Sequence, residues 1–229
     1  MLLKLASEHK IDLNPSDFVA EGAPSESDVY IPKATHWGTL AIGETEIPCY
    51  VLENGLRVFS LKGVVVGLID TEGGPLGEYL KVRALQPFLP ADLVPGEGNQ
   101  VPALFKFDTG AGGIGQHAFG MDVEKFMDLC AAYSAALQAH AIGSSDVKLS
   151  PRQLQIAIKA ASFLQASAKT GIVALVDEAT GYQFDRPVDA LQLKMKLFLE
   201  DEMRKWEKTF PDQLWVEFAH HPQRVAAAE

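Results

Sequence analysis

GIVALVDEATGYQFDR, residues Gly171 to Arg186, decides how the chain is read, because only here does an apolar run lead directly into crowded polar, aromatic and helix-ending residues. Helical periodicity flanks the stretch on both sides, so it marks a junction between two helices. Ile172, Val173, Leu175 and Val176 are expected to bury the preceding segment, with Asp177 and Glu178 emerging where that packed element surfaces. Gly181 suits a left-handed turn, and Tyr182 suits packing with its hydroxyl at the rim. Asp177, Glu178, Thr180, Gly181, Tyr182, Gln183 and Arg186 therefore form the candidate site. They admit three readings: a structural junction in which the carboxylates and Arg186 fix a turn, a binding surface, or an acidic catalytic centre at Asp177 and Glu178. No nucleophile and base accompany the carboxylates, so the structural junction leads.

Upstream, Ser150-Pro151-Arg152-Gln153 opens a helix with a capping serine, proline at the first helical position and a glutamine placed to reach back. Leu154, Ile158, Ala161, Leu164 and Ala168 continue it. Before it, Met121 to Ala141 sets Val123, Phe126, Met127, Cys130 and Leu137 on one face, with Gly143 as the stop. Downstream, Pro187 suits a helix N-terminus, and Val188, Leu191, Met195, Phe198 or Leu199, Glu202 and Trp206 follow one face until Phe210 precedes Pro211. A short helix is expected over Asp212 to Phe218, and residues 220–229 form a tail.

The first half has a different texture. Residues 1–33 mix charge with Asn14-Pro15, Gly22, Pro24 and serines, and read as a mobile or partner-dependent arm. From Ala34, short β-prone runs are divided by Gly43-Glu44, Asn54-Gly55 and Gly63, which predicts a small antiparallel sheet over about Gly38 to Ser60 with a type I′ turn at Asn54-Gly55. Leu61 to Ile69 admits both a strand and a short helix capped by Ser60. Pro75, Pro87, Pro90 and Pro95 keep Gly73 to Gln100 to loops and short helices, with Phe88 and Leu89 as anchors. The expected class is α+β: a small antiparallel β-rich half over 34–115, followed by a helical bundle over 121–219.

Two motifs in FKFDTGAGGIG, Phe105 to Gly115, imitate active sites. Asp108-Thr109-Gly110 resembles an aspartic-protease triplet, but that chemistry needs two carboxylates sharing a proton and the chain has a single such triplet. Gly110, Gly112 and Gly115 spell GxGxxG, which holds a pyrophosphate only where it joins a strand to a helix. A flexible Gly-rich loop between the two halves is the expectation. His220 and His221, like His36, His117 and His140, lack ligand partners at metal spacing, so no metal or cofactor is expected. The run EDEMRKWEK, Glu200 to Lys208, pairs Glu200 with Arg204 at i,i+4 and reads as a solvated helix face.

The bulk numbers bound the function. With 47% hydrophobic residues the 229-residue chain can bury a sizeable core, and its formal net charge of −10 disfavours nucleic acid and acidic membranes without a local basic patch. Cys49 and Cys130 show no metal spacing and read as free cytoplasmic thiols. Neither a leader nor a run of roughly 20 apolar residues is evident, so a soluble, intracellular protein is expected.

Several separated motifs in order, IPCYVLENGLRVFS (Ile47 to Ser60), GIVALVDEATGYQ, DALQ (Asp189 to Gln192) and WEKTFPD (Trp206 to Asp212), make the chain resemble the phage and prophage domain family whose name in words is P-sixty-three-C. The resemblance covers about Thr39 to Phe218. The ending AHHPQRVAAAE differs from the aromatic and basic one of that family. The resemblance implies a regulatory or interaction module of a mobile element, with a protein partner or self-association, and supplies no catalytic residues. An antirepressor-like DNA-binding regulator is the alternative it implies, and an enzyme at Asp177 and Glu178 is the third.

Overall fold

The computed structural model describes residues 30–42, 45–69, 75–111, 116–144 and 146–210. The chain divides into two units, Met1–Ile31 and Pro32–Glu229, and the second carries the fold. Of the expected arm, residues 1–29 lie outside the described residues, as do the short helix expected over 212–218 and the tail with His220 and His221.

The fold is α+β. Its sheet has five strands, β1 (Ala34–Ile42), β2 (Thr45–Leu52), β3 (Arg57–Ser60), β4 (Leu104–Asp108) and β5 (His117–Asp122), in the order β1-β2-β3-β5-β4 with every neighbouring pair antiparallel. The first three strands match the predicted sheet, but the turn between β2 and β3 differs from type I′. Among the described residues Asn99 is the one non-glycine with positive φ, so Asn54 is not left-handed, whereas Gly55 is, at φ 82°. The Gly55 N–H bonds the Leu52 carbonyl at 2.8 Å and the Leu52 N–H bonds the Leu56 carbonyl at 2.9 Å. One extra residue converts the two-residue loop into a three-residue one, which needs a single left-handed position.

The expected Gly-rich loop between two halves is instead the tip of the β4–β5 hairpin, where the Thr109 N–H bonds the Gln116 carbonyl at 2.7 Å. Lys33 bridges Asp108, and the Asp108 N–H bonds the Pro32 carbonyl at 2.9 Å, so the edge strand β4 meets the chain just before the other edge strand. The sheet thereby curls around Ala34, Leu52, Val58 and Phe107, with Tyr50 edge-on to Phe107 at 5.0 Å.

The ambiguous stretch after β3 is helical: α1 (Leu61–Val64) starts at Ser60, whose Oγ accepts the Gly63 N–H at 3.1 Å, and runs into a π turn over Val65–Ile69. A short helix α2 (Leu76–Leu80) and three 3-10 turns occupy the proline-rich stretch, and Phe88 and Leu89 pack half-buried on the core. Helix α3 (Val123–Ala141) begins two residues later than expected, because Met121 and Asp122 complete β5 and the Asp122 carboxylate caps the helix through the Glu124 N–H at 2.9 Å. Helix α4 (Pro151–Thr180) opens with the anticipated capping box: Ser150 Oγ accepts the Gln153 N–H at 3.4 Å, and Gln153 Oε1 accepts the Ser150 N–H at 2.9 Å. Helix α5 (Ala190–Thr209) starts three residues after Pro187, whose carbonyl accepts the Ala190 N–H at 3.1 Å in a preceding turn.

Sheet and helices share one core. Ile47 and Phe59 from the first strands, Met121 from β5, Phe126 and Leu137 from α3, Leu154 and Phe163 from α4, and Met195 and Leu199 from α5 lie in one buried cluster. An edge-to-face chain crosses it, with Phe59 to Phe126 at 5.2 Å and Phe126 to Phe163 at 5.3 Å. Among the described residues no helix is long and apolar enough to cross a membrane.

Two substitutions test this arrangement by urea or thermal denaturation. Ser150→Ala removes the α4 cap and should cost about 1 kcal/mol. Gly120→Val should cost more, about 1–3 kcal/mol, since a Cβ there meets Val58, and also Phe107 at 2.8 Å and the Phe59 carbonyl at 2.9 Å.

Candidate functional site

Helix α4 has 30 residues and α3 has 19, so at 1.5 Å per residue the first is longer by roughly 16 Å. The two meet through Phe126, near the start of α3, and Phe163, near the middle of α4. Beyond Ala166, the last buried residue of α4, the helix runs on past the body of the core. It stays helical because α5 returns along it. Thr170 Oγ1 donates to the Ala166 carbonyl at 2.9 Å and contacts Met195 Sδ at 3.5 Å. A shallow apolar groove of about 230 Å³ follows this seam, lined by Leu40, Phe163, Ala174, Leu191 and Met195 among others.

Among the described residues nothing packs over the outer face of the same segment. Ile172, Leu175 and Val176, expected to be buried, are 60%, 61% and 54% exposed. Only Val173 of the four is half-buried, since it turns towards the inner side. Tyr182, Phe184, Val188, Leu193 and Leu197 are exposed as well. Eight of the large exposed apolar side chains thus fall within the α4–α5 hairpin, a concentration that scattered surface hydrophobics do not show.

A carboxylate clasps the hairpin. Glu202, 8% exposed, accepts from Lys169 Nζ of α4 at 2.6 Å and from Lys205 Nζ at 2.7 Å. The hydrogen bond from Lys169, then that from Lys205, holds its carboxyl below the usual glutamate range. The run from Glu200 is therefore not simply a solvated face. Arg204 bonds Asp201 at 3.4 Å rather than forming the expected pair with Glu200. The position of Glu202 on the stripe Met195, Leu199, Glu202, Trp206 was the signal that it turns inward.

At the far end the candidate residues form a helix reversal. Thr180 ends α4, its Oγ1 donating to the Val176 carbonyl at 2.8 Å. Gly181 is left-handed at φ 78°, and its N–H bonds the Glu178 carbonyl at 3.2 Å. Tyr182, Gln183 and Phe184 make one 3-10 turn, and the Tyr182 carbonyl accepts the Asp185 and Arg186 N–H groups, each at 3.0 Å. Arg186 Nη1 reaches back to Asp177 Oδ2 at 3.0 Å, the two side chains being 20% and 13% exposed. Asp177 and Arg186 come together as the structural reading expects. Glu178 does not join them: consecutive residues lie about 100° apart around a helix, and it stands exposed on another face.

The imitative motifs resolve into local structure. Asp108 Oδ1 accepts the Gly110 N–H at 2.7 Å and Oδ2 accepts from Gln116 at 3.3 Å, and the first of these bonds chiefly lowers its pKa. The carboxylate braces a hairpin tip. Of the glycine motif, Gly112 and Gly115 lie outside the described residues, and the segment joins strand to strand rather than strand to helix. His36 and His117 are exposed, while His140 Nδ1 accepts the Leu149 N–H at 3.3 Å. No group of His, Cys, Asp or Glu that could hold a metal occurs among the described residues. Burial raises the thiol pKa of both Cys49 and Cys130.

No family model, no curated protein and no solved structure matches the chain.

The clasp predicts a pH signature. Because the Glu202 pKa is depressed in the fold, its contribution is complete above the unfolded value of about 4.3 and is lost as pH falls through the folded value. Glu202→Gln should cost about 1–2 kcal/mol at neutral pH, and its gap from wild type should shrink once pH falls below the unfolded glutamate value and close below the lowered folded one, measured by urea denaturation across pH. At the reversal, a double-mutant cycle of Asp177→Ala and Arg186→Ala should give a coupling of about 0.5–1 kcal/mol.

Proposed function

We propose that the chain is a non-enzymatic interaction module that binds a protein partner, or itself, through the exposed apolar side of the α4–α5 hairpin. The observation that carries this reading is the exposure of Ile172, Leu175 and Val176 on a helix whose opposite side packs on α5 through Thr170 and Met195. Apolar surface that stays exposed on a rigid, internally braced element is surface that association can bury without an ordering cost. The catalytic alternative draws less support, since Asp177 is committed to Arg186 and Glu178 diverges from it. The resemblance to the P-sixty-three-C family adds the setting: a regulatory protein of a phage or other mobile element, acting in the cytoplasm of a bacterial host.

The test is retention on immobilised chain of an untagged copy or of host proteins, compared with a Leu175→Glu and Val176→Glu variant of unchanged circular dichroism. The reading expects a protein retained by wild type and lost from the variant. Retention of nothing, salt-dependent capture of duplex DNA instead, or turnover of a nucleotide, peptide or phosphodiester abolished by Glu178→Gln would overturn it.

A further inference from the structure

Asn54-Gly55, which the fold uses as the turn between β2 and β3, also places an electrophile beside a nucleophile. The side-chain amide carbon of an asparagine is open to attack by the backbone nitrogen of the next residue, and a following glycine leaves that approach free of a side chain. Of the chain's three asparagines only Asn54 is so placed: Asn14 precedes a proline, whose nitrogen carries no hydrogen, and Asn99 precedes Gln100. Asn54 and Gly55 are both exposed, and no described residue beyond the chain neighbours comes within 4 Å of where a Gly55 Cβ would stand.

Two hydrogen bonds keep the pair from reacting while the turn is closed. Asn54 Oδ1 accepts the Leu56 N–H at 3.1 Å, which fixes the carboxamide in an Asx turn. The Gly55 N–H donates to the Leu52 carbonyl at 2.8 Å, so the nucleophile keeps its proton until the turn opens. We propose that Asn54 is a site of spontaneous backbone modification, entered each time this turn opens. The Gly55 nitrogen gives its proton to water or hydroxide and forms a bond to Asn54 Cγ. The bond from Cγ to Nδ2 breaks, ammonia leaves, and a succinimide remains. Water then opens the ring. Attack at Cγ gives aspartate, whereas attack at the backbone carbonyl carbon of residue 54 gives isoaspartate, whose main chain runs through Cγ and gains a carbon.

The fold carries this local change further. The Glu53 N–H bonds the Lys33 carbonyl at 2.8 Å, and Glu53 Oε1 accepts the Lys33 N–H at 3.1 Å. Lys33 in turn bridges Asp108, whose N–H bonds the Pro32 carbonyl at 2.9 Å, so the turn is one link from the contact that closes the curled sheet. An added backbone carbon directly after Glu53, with a new carboxylate beside its own, loosens that closure.

The test is to age the full chain at mildly alkaline pH and physiological temperature and to digest it with trypsin beside an unaged control. Cleavage after Lys33 and Arg57 releases a peptide in which Asn54 is the sole carboxamide side chain. That peptide should gain the mass difference between an amide and an acid and resolve into aspartate and isoaspartate forms, while Asn99 stays intact. The gain should be about tenfold slower in folded chain than in urea-unfolded chain, as expected where a hydrogen bond must first break. In the isoaspartate fraction the Glu53 and Asp108 amides should exchange faster than in unaged chain. Asn54→Ser, which keeps an oxygen for the Leu56 N–H and has no carboxamide, should show neither change on ageing. A peptide unchanged by ageing, equal rates in folded and unfolded chain, or an isoaspartate fraction with unaltered exchange at Asp108 would overturn the inference.

Discussion

A 30-residue helix cannot be buried along its whole length by a 19-residue neighbour and a curled sheet, and the rest of the molecule is arranged around that mismatch. The first half of α4 is core: Leu154, Ala157, Ile158, Ala161 and Phe163 are buried on several sides. The second half has no core to enter. Its helix propensity includes Gly171 and a run of β-branched Ile172, Val173 and Val176, which is poor support for four free turns. What keeps it helical is tertiary: α5 laid along one side, with Met195 packed at Thr170 and the Glu202 carboxylate gripping Lys169.

The clasp and the reversal divide this work. Glu202 joins the helices close to the core, where its 8% exposure removes most competition from water, whereas Asp177 and Arg186 close the distal end. Between the two sits Gly181, whose left-handed conformation turns the chain back within a single 3-10 turn. The result is a braced hairpin with one side occupied and the other exposed. Interaction surfaces carried on such elements lose little conformational freedom on association, which lets a small apolar area suffice for a weak contact.

Much of this was legible in the sequence where the information is local. Ser150-Pro151-Arg152-Gln153 specifies its own capping box, Gly181 its own turn, and the i,i+3/i+4 stripe of α5 its own inner face. The missed strands β4 and β5 form a hairpin that distant partners hold to the sheet, β3 on β5 and Lys33 on β4. LFKFD is short and followed by glycines, and only pairing with β5 and the bridge from Lys33 make it sheet. The fate of Ile172, Leu175 and Val176 was hidden for a related reason. Apolar periodicity says that a face is apolar, but whether anything covers it depends on where α3 begins in space, near Phe163. Glu202 shows the converse: its charge argued for solvent while its position on the stripe argued for burial, and two lysines made burial affordable.

The central claim is that, among the described residues, Ile172, Leu175 and Val176 on the distal half of α4 lie exposed beyond the core. Native-state amide hydrogen exchange at low protein concentration tests it most directly, by comparing residues 172–179 with residues 154–166. The account predicts that the distal amides are protected but open at a lower free energy than the proximal ones, through local unfolding of the hairpin. Equal protection of both halves, at the level of global unfolding in dilute monomer, would contradict it.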